Sequence, residues 1–139
     1  METSYKATVV VVEDEPLSLK LYSEILPLGG FRVVPSSDGV DIENIIAREL
    51  PLAAILDLDL PLRTGQQIAE SVRADPRIAA TTLWAVSASV DTTRRLDLLA
   101  GGFDAAWPKP ISIIGLIADL TRLLEGNTGP QSLPYPAGR

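Results

Sequence analysis

The chain contains no cysteine and no histidine. The first absence excludes disulfides and thiolate metal sites. The second removes imidazole metal clusters, histidine-based triads and any phosphohistidine on this chain. Cations are outnumbered, with 12 Lys and Arg against 18 Asp and Glu and a net charge of −6. That balance argues against a nucleic-acid or anionic-membrane surface. No apolar run approaches the roughly 20 residues of a membrane span. The polar start from Met1 to Lys6 has no signal-peptide core behind it, so the expected location is the cytoplasm.

What is present is ordinary for a globular protein: 139 residues, 46% hydrophobic and 22% charged. This fits one domain able to bury about two-thirds of its unfolded surface. Residues Ala7 to Val12 form an apolar, β-branched run that reads as a buried strand. Pro16 suits the first turn of a helix whose inward stripe is expected at Leu17, Leu21, Ile25 and Leu28. That places Leu19, Tyr22 and Leu26 off the stripe, as a candidate docking patch. Pro27 should end or kink this helix near Leu26. Strands are expected at Phe31 to Pro35, Leu52 to Asp57, Thr81 to Ser87 and Phe103 to Trp107. Helices should run to about Glu49, from Thr64-Gly65 to near Asp75, over Thr92 to Ala100, and over Ile111 to Leu124. Residues 1–125 then make one α/β domain, a doubly wound five-stranded parallel sheet with helices on both faces. Residues 126–139, rich in Gly and Pro and without period, read as a disordered tail.

The stretch from Ala54 to Pro61 carries the chemistry. A buried parallel strand should be almost wholly apolar, so Asp57 at its tip requires a reason. Glu13-Asp14 ends the first strand, Ser87 the fourth, and Lys109 follows the fifth. In an open α/β sheet these ends share one crevice. Carboxylates crowded together resist ionisation unless a cation joins them, and a hard divalent ion such as Mg²⁺ takes oxygen ligands. Crowding of that kind strains the metal-free fold, and neutralising Asp57 is expected to relieve it. An Asp nucleophile, a metal, a lysine and a hydroxyl together make a site that accepts a phosphoryl group as an aspartyl phosphate.

Val9 to Pro16, Leu56 to Pro61 with Gly65, Val86-Ser87-Ala88 and Lys109-Pro110 occur in order and at characteristic spacing. Together they resemble the response-regulator receiver domain of two-component signalling, over roughly residues 7–124. The resemblance implies a flavodoxin-like fold with strand order 2-1-3-4-5. It implies that Asp57 accepts phosphate from a sensor histidine kinase or a histidine phosphotransfer protein. It further implies that Asp14, Asp57 and the backbone carbonyl of Asp59 hold Mg²⁺, with Glu13 acting through a metal-bound water. Lys109 would touch the phosphoryl group, Ser87 would move to it, and the Lys109-Pro110 bond is often cis in such domains. Such a protein is a signalling module rather than an enzyme, although it assists its own phosphorylation and dephosphorylation. With only a short tail after Leu124, it is expected to be a single-domain response regulator. It would act on an unknown downstream protein or as a phosphoryl shuttle or sink, without nucleic acid or membrane; a homodimer is compatible with this.

Two residues depart from the family pattern. Ala106 stands three positions before the lysine, where receivers usually carry Tyr or Phe. Trp107 beside it should face the other side of the sheet. Asp59 occupies the position that tunes dephosphorylation in the family, and an added carboxylate there either orders the attacking water or repels it. Other readings compete. Taken alone, Asp57 is a strand-end turn residue, Glu13 to Glu15 a helix cap, Ser87 a turn hydroxyl and Lys109 a solvated surface charge. Glu15 fits the cap, whereas Asp14 fits a ligand. Asp57-Leu58-Asp59 is also similar to the DxD of haloacid-dehalogenase-type phosphatases, but that family places it on the first strand. A flavodoxin-like cofactor binder lacks a matching phosphate loop here. Ala106 leaves open an unphosphorylated receiver-like interaction module.

Overall fold

The computed structural model describes residues 4–126. The chain alternates strand and helix: β1 (Ala7–Val12), α1 (Pro16–Ile25), β2 (Phe31–Ser36), α2 (Ile42–Glu49), β3 (Ala53–Asp57), α3 (Gly65–Ala74), β4 (Leu83–Ser87), α4 (Thr92–Ala100), β5 (Ala105–Pro108) and α5 (Ile113–Leu124). The five strands are parallel and lie in the order β2-β1-β3-β4-β5, the flavodoxin-like arrangement. The tail at 127–139 lies outside the described residues. No helix among the described residues is long and apolar enough to cross a membrane.

The strands read as unbroken apolar runs because both faces of the sheet are covered. Val10, Val12, Ala54, Leu56, Leu83, Ala85 and Ala106 pack with Ile42 and Ile46 of α2, Ile68 and Val72 of α3, and Leu98 of α4. The alternate residues, Val9, Val11, Ala53, Ile55, Trp84, Val86 and Trp107, pack with Tyr22 and Leu26 on the α1 side and Leu116 and Leu120 of α5. Trp84 and Trp107 meet edge to face, with ring centroids 5.2 Å apart, as packing residues. Register brings the strand ends level: Val12 pairs with Leu56, Asp57 with Val86, and Ser87 with Pro108.

The first helix is turned the opposite way from the expected stripe. Leu17, Leu21 and Leu28 are exposed, while Tyr22 and Leu26 are buried and Leu19 is half-buried against the same core. Leucines occur on both sides of this helix, so their spacing alone does not orient it. Tyr22 does, because burying an aromatic ring removes more apolar surface than burying one more leucine. The α-helical part ends at Ile25, and a 3₁₀ turn over Leu26–Gly29 leads to Gly30 at φ 96°, the exit that Pro27 demands.

Two strands begin later than expected, β4 at Leu83 and β5 at Ala105. The Arg73 guanidinium on α3 donates to the carbonyls of Ala79, Thr81 and Gly102, so Thr81 and Gly102 are already engaged by a side chain. The Phe103 N–H closes α4 on Leu98 O, and Asp104 Oδ2 accepts from the Leu83 N–H. α5 begins at Ile113 because Ser112 caps it, its side chain accepting from the Gly115 N–H. At the third strand the difference is one residue, with β3 starting at Ala53.

Leu50 closes α2 in the left-handed region, at φ 47° and ψ 59°, directly before Pro51 and 73% exposed. A side chain in that conformation costs about 1–2 kcal/mol, and the residue before proline is restricted further. Glycine removes the steric cost against roughly 0.5–1 kcal/mol of added chain entropy. Leu50→Gly is therefore expected to stabilise the fold by about 0.5–1 kcal/mol. Thermal melts should show a midpoint a few degrees higher; a lower midpoint would contradict this account of the cap.

Candidate functional site

Strand pleating decides which side chains meet beyond the sheet edge. Glu13 continues the parity of Val9 and Val11, Asp57 that of Ala53 and Ile55, and Lys109 that of Ala105 and Trp107. All three therefore emerge on the α1 and α5 side. Lys109 Nζ lies 3.0 Å from Glu13 Oε1 and donates to Asp57 Oδ2 at 3.2 Å. Glu13 and Asp57 are only 2% and 4% exposed, so this lysine joins two acids that water barely reaches. Asp14, one residue further along, is exposed. Glu13, Asp14 and Asp57 each offer a carboxylate oxygen within 4.8 Å of the others'.

The local chain holds these groups in place. Glu15 caps α1 by accepting from the Ser18 N–H at 2.9 Å, with Pro16 in the first turn. The loop after β3 folds back on Asp57, as the Asp59 N–H donates to Asp57 Oδ1 at 3.1 Å. The Gly65 N–H closes that loop on Leu58 O at 3.1 Å, and Thr64 with Gln67 forms a capping box at the start of α3. A Cβ at Gly65 would lie 2.9 Å from Leu58 Cα, so only glycine lets α3 start this close to the loop. After β5, Lys109 is followed by a cis bond to Pro110.

The electrostatics divide the two buried acids. Burial, with Asp57 as hydrogen-bond partner and neighbouring charge, pushes the Glu13 carboxyl up to about 7 against the pull of Lys109. Burial also works to raise Asp57, but the bonds from Glu13, the Asp59 N–H and Lys109 outweigh it and hold that carboxyl below its ordinary value. Lys109 is held above its own ordinary value; burial opposes this, and the two acids prevail. Near neutral pH, Asp57 is thus the ionised acid, facing an ammonium, while Glu13 carries a proton part of the time. Crowding therefore strains Glu13, whereas Asp57, the acid expected from the sequence to gain from neutralisation, is the favoured anion.

The other candidates fall nearby. Ser87 is buried and its hydroxyl points to Asp59 Oδ2 at 3.5 Å, while Asp59 itself is exposed at the rim. Ala106 is buried on the α2–α4 side and Trp107 on the opposite one, as strand alternation requires. Two features escaped the sequence reading. Tyr22 lies in the core beneath the acids; burial, with the charges of Glu13 and Asp57, raises its hydroxyl above the ordinary value. Its signal was its ring, the one aromatic in the first helix. Arg63, in the loop before α3, pairs with Glu43 in the first turn of α2; nothing local marks residues 20 positions apart as partners.

With this geometry in view, comparison with known proteins is direct. The model of the response regulator receiver domain family matches residues 9–121. The polar-differentiation response regulator DivK of Brucella anthropi is 24% identical over 106 residues, 76% of this chain and 86% of that protein. The probable transcriptional regulator ycf27 of Guillardia theta is 31% identical over 120 residues, 86% of this chain and 46% of that protein. The chain thus spans about half the length of that relative. Among solved structures, the receiver domain of Francisella response regulator 1452 has a TM-score of 0.79 at 21% identity, covering 86% of this chain and 98% of that one. The receiver domain of the sensor histidine kinase PA1611 from Pseudomonas aeruginosa, solved with magnesium in its active-site cleft, has a TM-score of 0.76 at 24% identity, covering 86% and 98%. Likeness at that identity speaks to the fold alone. The family match speaks to more: the chain belongs to the response regulator receiver domains, the signalling modules of two-component systems.

The raised Glu13 carboxyl makes stability depend on pH. Its folded value, about 7, lies above the ordinary 4.5, so the folded chain holds this proton more tightly than the unfolded one. The stabilisation is complete below about 4.5 and is lost as pH rises through about 7. Asp57 acts in the opposite sense and only in the acid range, below its ordinary 3.8. In chelator, the melting midpoint should fall between pH 5 and pH 8, and Glu13→Gln should flatten that fall. An equally steep fall in the variant would contradict the assignment.

Proposed function

We propose that this receiver domain accepts a phosphoryl group on Asp57 from a sensor histidine kinase or a histidine phosphotransfer protein, in a Mg²⁺-dependent reaction. The observation that carries this reading is the pairing of an ionised, nearly buried Asp57 with Lys109 at 3.2 Å. An Asp57 oxygen attacks phosphorus, the bond from phosphorus to the donor's imidazole nitrogen breaks, and an acyl phosphate forms. Lys109, with its charge secured by the two acids, faces the incoming phosphoryl oxygens. Ser87 stands at the end of the neighbouring strand with a hydroxyl able to donate to them.

The donor set fits a hard divalent ion, since Glu13, Asp14 and Asp57 are all oxygen ligands gathered within 4.8 Å. Asp14, Asp57 and the Asp59 backbone carbonyl are the residues that would hold Mg²⁺, with Glu13 reaching it through water. Bound there, Mg²⁺ supplies the positive charge that offsets repulsion between the acceptor and the incoming anion. The phosphodonor must approach beside α1. Leu17 and Leu21 are exposed there, and a groove of about 320 Å³ next to Asp14 is walled by Pro16, Leu19 and Pro35.

Output in this reading passes by protein contact, from the loops that carry Ser87 and Lys109 to a downstream partner, or onward as phosphate to another carrier. Ala106 leaves no bulky side chain to swing when Ser87 moves, so the two states differ by loop shifts. An interaction module that is never phosphorylated is the second reading, and Ala106 is the observation that favours it.

The two part on one experiment. Acetyl phosphate with Mg²⁺ should add one phosphate to the intact chain by mass spectrometry, and Asp57→Asn should remove it. Asp14→Ala should abolish both Mg²⁺ binding and modification. No added phosphate on the parent, or phosphate persisting in Asp57→Asn, would reject the acceptor role.

A further inference from the structure

We infer that Arg63 and Glu43 are positioning residues for the acceptor site: their ion pair holds the loop that carries Asp59 in place beside Asp57. The inference rests on the metal-assisted acceptor reading above and concerns what keeps that site in shape.

The loop at 58–64 leaves β3 and must present the Asp59 backbone to the crevice. Its own bonds pin its ends, at Asp59 N–H to Asp57 Oδ1 and at Gly65 N–H to Leu58 O. Between those pins Leu60 is buried, whereas Leu62 is 68% exposed. The tie to the rest of the fold comes from Arg63. Its guanidinium donates to Glu43 Oε1 at 2.8 Å and to Glu43 Oε2, and also to the carbonyls of Gly39 at 3.2 Å and Val40 at 3.4 Å. Ser71 of α3 donates to the same Glu43 carboxylate. The turn before α2, the first turn of α2, α3 and the acceptor loop therefore converge on one ion pair.

The pair is suited to holding a geometry. Both side chains are largely shielded, 23% and 19% exposed, and a forked guanidinium fixes direction as well as distance. Its bond holds the Glu43 carboxyl down at about 2, so the pair stays charged across the neutral range. The turn it grips is pressed against the same loop. Gly39 sits at φ 73°, and a Cβ there would come within 2.7 Å of Ile68 Cδ1 and 3.4 Å of Leu60 Cδ1. Arg63 thus closes that turn over the loop from the outside, while Leu60 fills the space from the inside.

Residues that orient metal ligands through such outer bonds typically change metal affinity by about 10–100-fold when removed. A purely structural tie would lower the melting midpoint and leave the affinity of the folded protein unchanged. The test is calorimetric titration of the full chain with MgCl₂, well below each protein's melting midpoint. The parent should bind, and Arg63→Gln should bind about tenfold more weakly, at the lower edge of that outer-bond range. Glu43→Gln, which keeps an acceptor for Arg63, should weaken binding in the same direction and serves if Arg63→Gln does not fold. A folded variant with affinity within about twofold of the parent overturns the inference while leaving the acceptor reading standing. A parent that binds no Mg²⁺ overturns the reading and the inference together.

Discussion

Two nearly buried carboxylates sharing one partly exposed ammonium at the end of a sheet are the constraint on which the site depends. Lys109 lies 3.0 Å from Glu13 and 3.2 Å from Asp57. One cation cannot fully compensate two neighbouring anions in a place that water hardly enters. The imbalance is resolved unequally. Asp57, which also accepts the Asp59 N–H, keeps its charge, and Glu13 is driven toward the protonated form. The acid left ionised is the one that the proposed phosphoryl transfer requires, and the acid left strained is one that a divalent ion bound nearby would relieve. Stability and pH response in this domain are in that sense aspects of one charge balance.

The fold makes this balance by parity and register. An alternating strand sends Glu13, Asp57 and Lys109 to the same side of the sheet, while Ser87 and Ala106 share the side facing α2 to α4. Both faces of β1, β3 and β4 are packed, and a slip of one position would send an acid to the opposite face, away from Lys109. The loop after β3 then brings its backbone back to Asp57 and is tied outward by Arg63. Rigidity around Asp57 comes from both directions, apolar packing below and an ion pair above.

Much of this was legible in the residues, and the reasons are physical. An Asp at the tip of an apolar run is costly unless it has work to do, so Asp57 stood out, as did Glu13 and Asp14 after four valines. Strand alternation placed Ala106 and Trp107 on opposite faces correctly. The helix caps at Glu15 and Thr64 were readable because a cap is a local bond. What failed was orientation in α1, where leucines populate both sides and the decision belongs to tertiary burial of Tyr22. The starts of β4 and β5 were misplaced because Arg73, a distant side chain, takes the carbonyls near them. The Arg63–Glu43 pair was missed for the same cause: a long-range side-chain bond leaves no periodic trace in a sequence.

The central claim is that the two buried acids of the metal-free site differ in charge at neutral pH. Side-chain carboxyl carbon resonances of Glu13 and Asp57, assigned through Glu13→Gln and Asp57→Asn, can be followed by NMR from pH 4 to pH 9 in chelator. The account expects the Glu13 signal to titrate with a midpoint near 7, while Asp57 stays in its ionised position from pH 5 upward. An Asp57 signal that moves through neutral pH, or a Glu13 signal that completes its titration near 4.5, would contradict it.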